Sequence, residues 1–165
     1  MRRKVLFNDI TKINQIIDLC EVCYVSMVDE NNMPYVLPFN FGYENGVIYL
    51  HSAKTGKKIK ILKAKPNVCI VFSTGHQIRF QHPDVACSYM MKYRSVQAFG
   101  EVEFIDDYDE KVKILNMVMK KYTGKDFKYS KPSVDEVETF IVKVSQISGK
   151  EFGYWFGVND KMVKG

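Results

Sequence analysis

Pro34-Tyr35-Val36-Leu37-Pro38-Phe39-Asn40-Phe41-Gly42-Tyr43-Glu44-Asn45-Gly46-Val47-Ile48-Tyr49-Leu50-His51-Ser52 decides the fold. Its centre, Asn45-Gly46, supplies the two positive φ values that a type I′ turn needs, so the flanking runs read as an antiparallel hairpin. Val47 to Ser52 is the outgoing strand. Pro34 to Tyr43 is the incoming one, irregular because Pro38 lacks a donor and Gly42 weakens a strand. Pro38 is therefore expected to break the ladder and leave backbone groups for a ligand.

Outward from this hairpin the elements alternate between strands and a few helices. Asn8-Asp9 caps a helix over about residues 9–20, with Ile10, Ile13, Ile16, Ile17 and Cys20 at helical spacing. Val22 to Val28 reads as a strand and Asp29-Glu30-Asn31-Asn32 as a turn. Gly56 to Ala64 reads as a short helix stopped by Pro66, and Asn67 to Ser73 as a strand. Residues 74–91 look irregular. Tyr93 to Ile105 is a long strand bent at Gly100, Asp106-Asp107 caps a helix ended by Gly124, and Val134 to Glu138 is one helical turn. Phe140 to Ile147 alternates apolar with polar residues and closes the series. This order predicts a mainly β chain, an antiparallel barrel with flanking helices. The expected organisation is a single domain over residues 1–165, with the barrel over about 22–148 and a tail over 149–165.

Composition narrows the function. The chain has 165 residues, is 46% hydrophobic and 13% aromatic, and carries a formal net charge of +5. The excess comes from scattered lysines, without the basic stripe that nucleic-acid binding needs. No apolar run is long enough to span a membrane, and the basic N-terminus lacks the apolar centre of a signal peptide. The reading is a cytoplasmic protein with no nucleic-acid or membrane partner. Cys20, Cys23, Cys69 and Cys87 are then thiols. Cys20-Glu-Val-Cys23 has zinc-ligand spacing, but His76, His82 and Cys87 are too loosely spaced to be a second ligand pair, so no metal is expected.

The segment His51-Ser52-Ala53-Lys54-Thr55-Gly56-Lys57-Lys58 joins a strand to a helix start. Unpaired N–H groups and a partial positive charge at such a start suit a phosphate. Lys57 and Lys58 add full positive charges where the helix itself favours acids, which an anion would neutralise; two solvated lysines are the alternative. No P-loop, dinucleotide fingerprint or nucleophile elbow is present.

The runs Pro34 to Tyr43, Gly46 to Ala53 and Gly56-Lys57-Lys58 resemble the 5-nitroimidazole antibiotic resistance proteins, within the pyridoxamine 5′-phosphate oxidase-like FMN-binding split barrels. Pro66-Asn67-Val68-Cys69-Ile70 is similar to that family's helix-to-strand junction, and Tyr93 to Gly100 to its long strand. The resemblance implies a six-stranded split barrel and a homodimer holding FMN at its interface; the phosphate site read above would accept FAD as well. On the matching positions, Lys57 and Lys58 with Ser52 and Ala53 would bind the phosphate. Leu37, Pro38, Phe39 and Asn40 would lie along the isoalloxazine. His51 would stand near flavin and substrate, as a catalytic residue or as a strand-end histidine bonded to backbone. Arg94 and Ser95 would reach the cofactor, unless Arg94 is a structural ion-pair partner. Outside the resemblance, Trp155 with Phe156 could cover a flavin face or anchor a core or interface. The implied function is a flavin-dependent reductase, drawing on a nicotinamide donor and passing electrons to a small aromatic or nitro-bearing acceptor. A non-catalytic flavin or haem binder is the rival, since His51, His76 or His82 could ligate iron.

Overall fold

Alternation of apolar and polar residues builds the first strands seen in the computed structural model, which describes residues 4–154 and 161–162. β1 (Lys4–Phe7) leads to α1 (Ile10–Asp18), whose N-cap Asp9 accepts from the Lys12 N–H at 3.1 Å. Its Ile13, Ile16 and Ile17 are buried, as their spacing requires. β2 (Cys23–Val28) buries Cys23, Val25 and Met27 and exposes Tyr24 and Val28. β3 (Pro34–Phe39), β4 (Gly42–Glu44) and β5 (Val47–Ala53) follow. Asn45 (φ 50°) and Gly46 (φ 79°) make the two-residue turn with β4 and β5 in antiparallel register, Glu44 opposite Val47.

α2 (Lys57–Ala64), β6 (Asn67–Phe80) and β7 (Met90–Ile105) come next. α3 (Tyr108–Thr123), α4 (Lys131–Asp135), β8 (Val137–Phe152) and β9 (Lys161–Met162) complete the described chain. The hydrogen-bonded order is β3-β2-β6-β7-β8-β5-β4, with β1 on β8 and β9 on β6.

Two compact units divide the described residues. One comprises those of 1–20, 72–97 and 148–165, the other 21–71 and 98–147. In the first, Ile13, Ile16, Ile17, Phe72 and Val96 are buried, and Lys4 to Phe7 pair with Phe152 to Gly149. In the second, β5 pairs with Val137–Lys143 of β8, and the core gathers Phe41, Ile48, Leu50, Leu62, Ile70 and Phe140. Phe39 meets Phe140 edge-on, with ring centroids 6.0 Å apart.

Several sequence expectations change here. Among the described residues the sheet has nine strands, where six were expected, because β1 and β9 add one strand each and the Pro34–Tyr43 run splits in two; β6 also runs on through residues 74–80. Residues 149–152 belong to β8, so the tail begins later than expected. Pro38 does not break its strand. It lies on β3, in register with Tyr24 of β2; β3 ends the strand order, and an edge strand tolerates a missing donor. The break falls after Phe39. There the Phe41 N–H is taken by the Tyr122 hydroxyl (3.1 Å), which itself donates to the Glu21 carbonyl (2.7 Å). The backbone group freed by the break is therefore satisfied from α3.

Candidate functional site

Thr55 and Gly56 lead from β5 into α2, and this junction opens a cavity of about 590 Å³ in the second unit. Asp29, Glu30 and Asn31 of the β2–β3 turn form its other wall, with Lys57, Lys60 and Ile61 on the helix side. Gly56 is the N-cap of α2, at φ 113°, and no side chain caps the helix. A Cβ built on Gly56 would meet nothing within 4 Å, so the helix start stands open toward space. Its first N–H groups have no partner within the helix, and the positive end of the dipole lies at the same point.

Lys57 is not the bare cation that the sequence suggested. Its Nζ lies 3.2 Å from Oδ2 of Asp29 and 4.9 Å from the centre of the Tyr35 ring. Oδ1 of Asp29 is occupied separately, accepting from the N–H groups of Asn31 (3.0 Å) and Met33 (2.9 Å). The backbone hydrogen bond from Met33 leads the contributions holding the Asp29 carboxyl below its ordinary range; burial opposes it, while Lys57 and the Asn31 N–H reinforce it. Lys58 is half-buried, with no ion pair among the described residues.

His51 sits two residues before the end of β5, opposite Thr139 of β8. Burial pushes its pKa below the ordinary value, so the ring is neutral near pH 7. Its Nδ1 is buried and has no hydrogen-bond partner among the described residues. Thr139 does not supply one, since its hydroxyl donates to the Ile105 carbonyl at 3.0 Å. Ser52 turns its hydroxyl onto the adjacent Ala53 carbonyl (2.9 Å), and Ala53 is exposed.

Leu37 is half-buried, Pro38 and Asn40 are exposed, and Phe39 is buried against Phe140. A ligand along this run would meet Phe39 through its backbone, since the ring belongs to the core. Arg94 and the half-buried Ser95 lie in the first unit. Arg94 donates through Nε to Oε1 of Glu151 at 2.8 Å, and its guanidinium carbon stands 4.3 Å from the centre of the Tyr154 ring. Of the two roles open for Arg94 in the sequence, the structure displays the ion pair. Trp155 and Phe156 lie outside the described residues.

Asp29 and Glu151 are the participants that sequence reading missed. Asp29 appeared there only as a turn residue, and nothing local marks it as the partner of Lys57. Cys20 and Cys23 are both buried, and the Cys20 thiol donates to the Ile16 carbonyl at 3.2 Å. Among the described residues no three His, Cys, Asp or Glu side chains gather as metal ligands would. No described helix is long and apolar enough to cross a membrane.

A mainly antiparallel sheet flanked by helices defines a split-barrel protein. The chain belongs to the pyridoxamine 5′-phosphate oxidase family, which matches residues 9–151. It is similar to a protein of Bacteroides thetaiotaomicron provisionally described as a 5-nitroimidazole antibiotic resistance protein, at 43% identity and a TM-score of 0.82, covering 91% of this chain and 88% of that one. An FAD and haem binding protein from Mycobacterium smegmatis shares the fold at 14% identity and a TM-score of 0.79, covering 93% of this chain and 75% of that one. So does a flavocytochrome from Azotobacter vinelandii, at 19% identity and a TM-score of 0.75, covering 96% and 80%. No curated protein sequence matches the chain.

Proposed function

We propose that this protein is a cytoplasmic, homodimeric FMN-dependent reductase acting on small aromatic or nitro-bearing compounds, with a nicotinamide as electron donor. The observation that carries the reading is the β5–α2 junction. There an open, uncapped helix start and Lys57 face one cavity, and β5 carries the neutral His51, whose Nδ1 has no partner among the described residues. The donors present fit a phosphate monoester: backbone N–H groups, the Thr55 side chain and the Lys57 ammonium. Family membership and the similarity to the Bacteroides protein support the choice of flavin and of acceptor.

Bound FMN would supply the electron transfer, as flavins do. The protein's own residues have simpler tasks. The α2 start and Lys57 hold the phosphate and so fix the ligand's position. The run Leu37 to Asn40 offers backbone groups to the ring's polar edge. His51, neutral and short of one hydrogen bond, can donate to or accept from a polar group of the acceptor near neutral pH. The homodimer is supported by the outer face of β2 and β3, where Tyr24, Val28 and Val36 are exposed together and Tyr24 lies opposite Pro38.

The test is the absorbance spectrum of the purified protein, heat release and identification of its chromophore, and its mass in solution. A yellow dimer releasing about one FMN per subunit, which then turns over nitroimidazoles with a nicotinamide donor, is expected. A sharp haem band would transfer the reading to the haem-binding rival. A colourless protein indifferent to FMN and FAD would overturn the flavin reading.

A further inference from the structure

The geometry points to Asp29 as a built-in competitor for the phosphate site, occupying Lys57 until a phosphate-bearing ligand displaces it. This rests on the reading of the β5–α2 junction as the FMN phosphate site, and deepens it by naming what sets the ligand's affinity.

The two oxygens of Asp29 have separate work. Oδ1 accepts the N–H groups of Asn31 and Met33 and shapes the β2–β3 turn. The same turn is tied from outside by Lys65, whose Nζ donates to the Asp29 carbonyl (2.8 Å) and to Oδ1 of Asn32 (2.9 Å). Oδ2 faces Lys57 across the cavity wall. Holding the turn needs only an oxygen acceptor at Oδ1. The negative charge at Oδ2 contributes nothing to that, and it lies on the cation best placed to meet an anion at the helix start. A salt bridge is most labile when one partner is well solvated, and the Lys57 side chain is 57% exposed while that of Asp29 is 11% exposed. Lys57 is therefore the member free to swing, with Asp29 fixed in place.

The exchange needs no covalent step. Lys57 leaves one oxyanion for another, while the Asp29 carboxylate keeps the N–H groups of Asn31 and Met33 at Oδ1. A dianionic phosphate monoester competes well for the ammonium and also gains the α2 N–H groups, which Asp29 does not use. A ligand without phosphate gains neither. Asp29 thus lowers the affinity for a phosphorylated flavin, leaves that for an unphosphorylated one unchanged, and so narrows the margin between them.

Asp29→Asn separates the two oxygens, since the amide oxygen can keep the Oδ1 bonds while the charge is removed. Equilibrium titrations of the flavin-free protein with FMN and with riboflavin, read by quenching of flavin fluorescence, test the inference. Asp29→Asn is expected to tighten FMN about fivefold, the scale of releasing one surface ion pair, and to leave riboflavin unchanged. Asp29→Ser, whose hydroxyl can take over the turn's N–H groups, should shift FMN the same way and guards against a folding artefact of the amide. Unchanged or weaker FMN binding in both folded variants overturns the role of Asp29. Lys57→Ala decides the underlying reading separately: if it leaves the ratio of FMN to riboflavin affinity unchanged, the phosphate site lies elsewhere, whatever Asp29 does.

Discussion

Arg94 and Glu151 are joined by a 2.8 Å bond from Nε to Oε1, and the other carboxylate oxygen of Glu151 accepts from Lys12 Nζ at 2.6 Å. One carboxylate, 10% exposed, therefore ties together α1, β7 and the end of β8 within the first unit. Burial pushes the Glu151 pKa up, but hydrogen bonds and charge from Lys12 and Arg94 prevail, and the net shift is downward.

Glu151→Gln is expected to destabilise the protein by about 1–2 kcal/mol, since two charge-assisted bonds are weakened and both cations are partly solvated. Urea unfolding measures it. In a double-mutant cycle with Arg94→Gln the effects should fall short of additivity by about 1 kcal/mol. Additive losses would mean that the pair is not coupled. A carboxyl with a lowered pKa contributes stability that is present above its ordinary pKa, so this part should fade as pH drops through and below about 4.3.

His51 gives a pH dependence of the opposite origin. Its pKa is lowered by burial, so below about 6.5 the unfolded chain takes up a proton that the folded protein refuses. Stability should therefore fall as pH drops from about 6.5 toward the lower folded value. Relative to wild type, His51→Gln should lose more stability at pH 7.5 than at pH 5.5, by unfolding at both. An identical difference at the two pH values would show that the buried ring does not titrate as described.

Tyr122→Phe removes the group that serves both Phe41 N–H and Glu21 carbonyl. The expected loss is about 1–2 kcal/mol, with one buried donor left unpaired. Amide exchange locates it: Phe41 should exchange faster in the variant, while amides of the β4–β5 turn keep their protection.

Gly100→Ala should destabilise by about 2 kcal/mol or more, because an added Cβ would run into the Lys143 carbonyl and the Val142 side chain, and backbone cannot move aside cheaply. A thermal melt like that of the wild type would show that β7 and β8 have room to separate there.

Much of the fold is legible locally. Asp9 and Asp107 cap α1 and α3 as their spacing suggests, each accepting from the N–H three residues on. Asn45-Gly46 makes the turn its chemistry demands. The length of β6 was not legible, because residues 74–80 carry Gly75, His76 and Gln77, whose weak strand preference is overruled by neighbours in the sheet. The site was legible only in part: Lys57, His51 and the α2 start were singled out, while Asp29 passed as a turn.

What the sequence alone determined about this protein is whatever acts within a few residues along the chain: caps, the type I′ turn, the alternation that buries Cys23, Val25 and Met27, and the strand-to-helix segment at His51 to Lys58. What only the tertiary structure decided is the partnership of distant groups. Asp29 stands against Lys57, Arg94 against Glu151 across 57 positions, and Phe41 against Tyr122 across 81. Local preferences come from sterics and hydrogen bonds between near neighbours, so the residues themselves display them. Which cation meets which anion depends on strand order and register, and these follow from burying the whole apolar set at once.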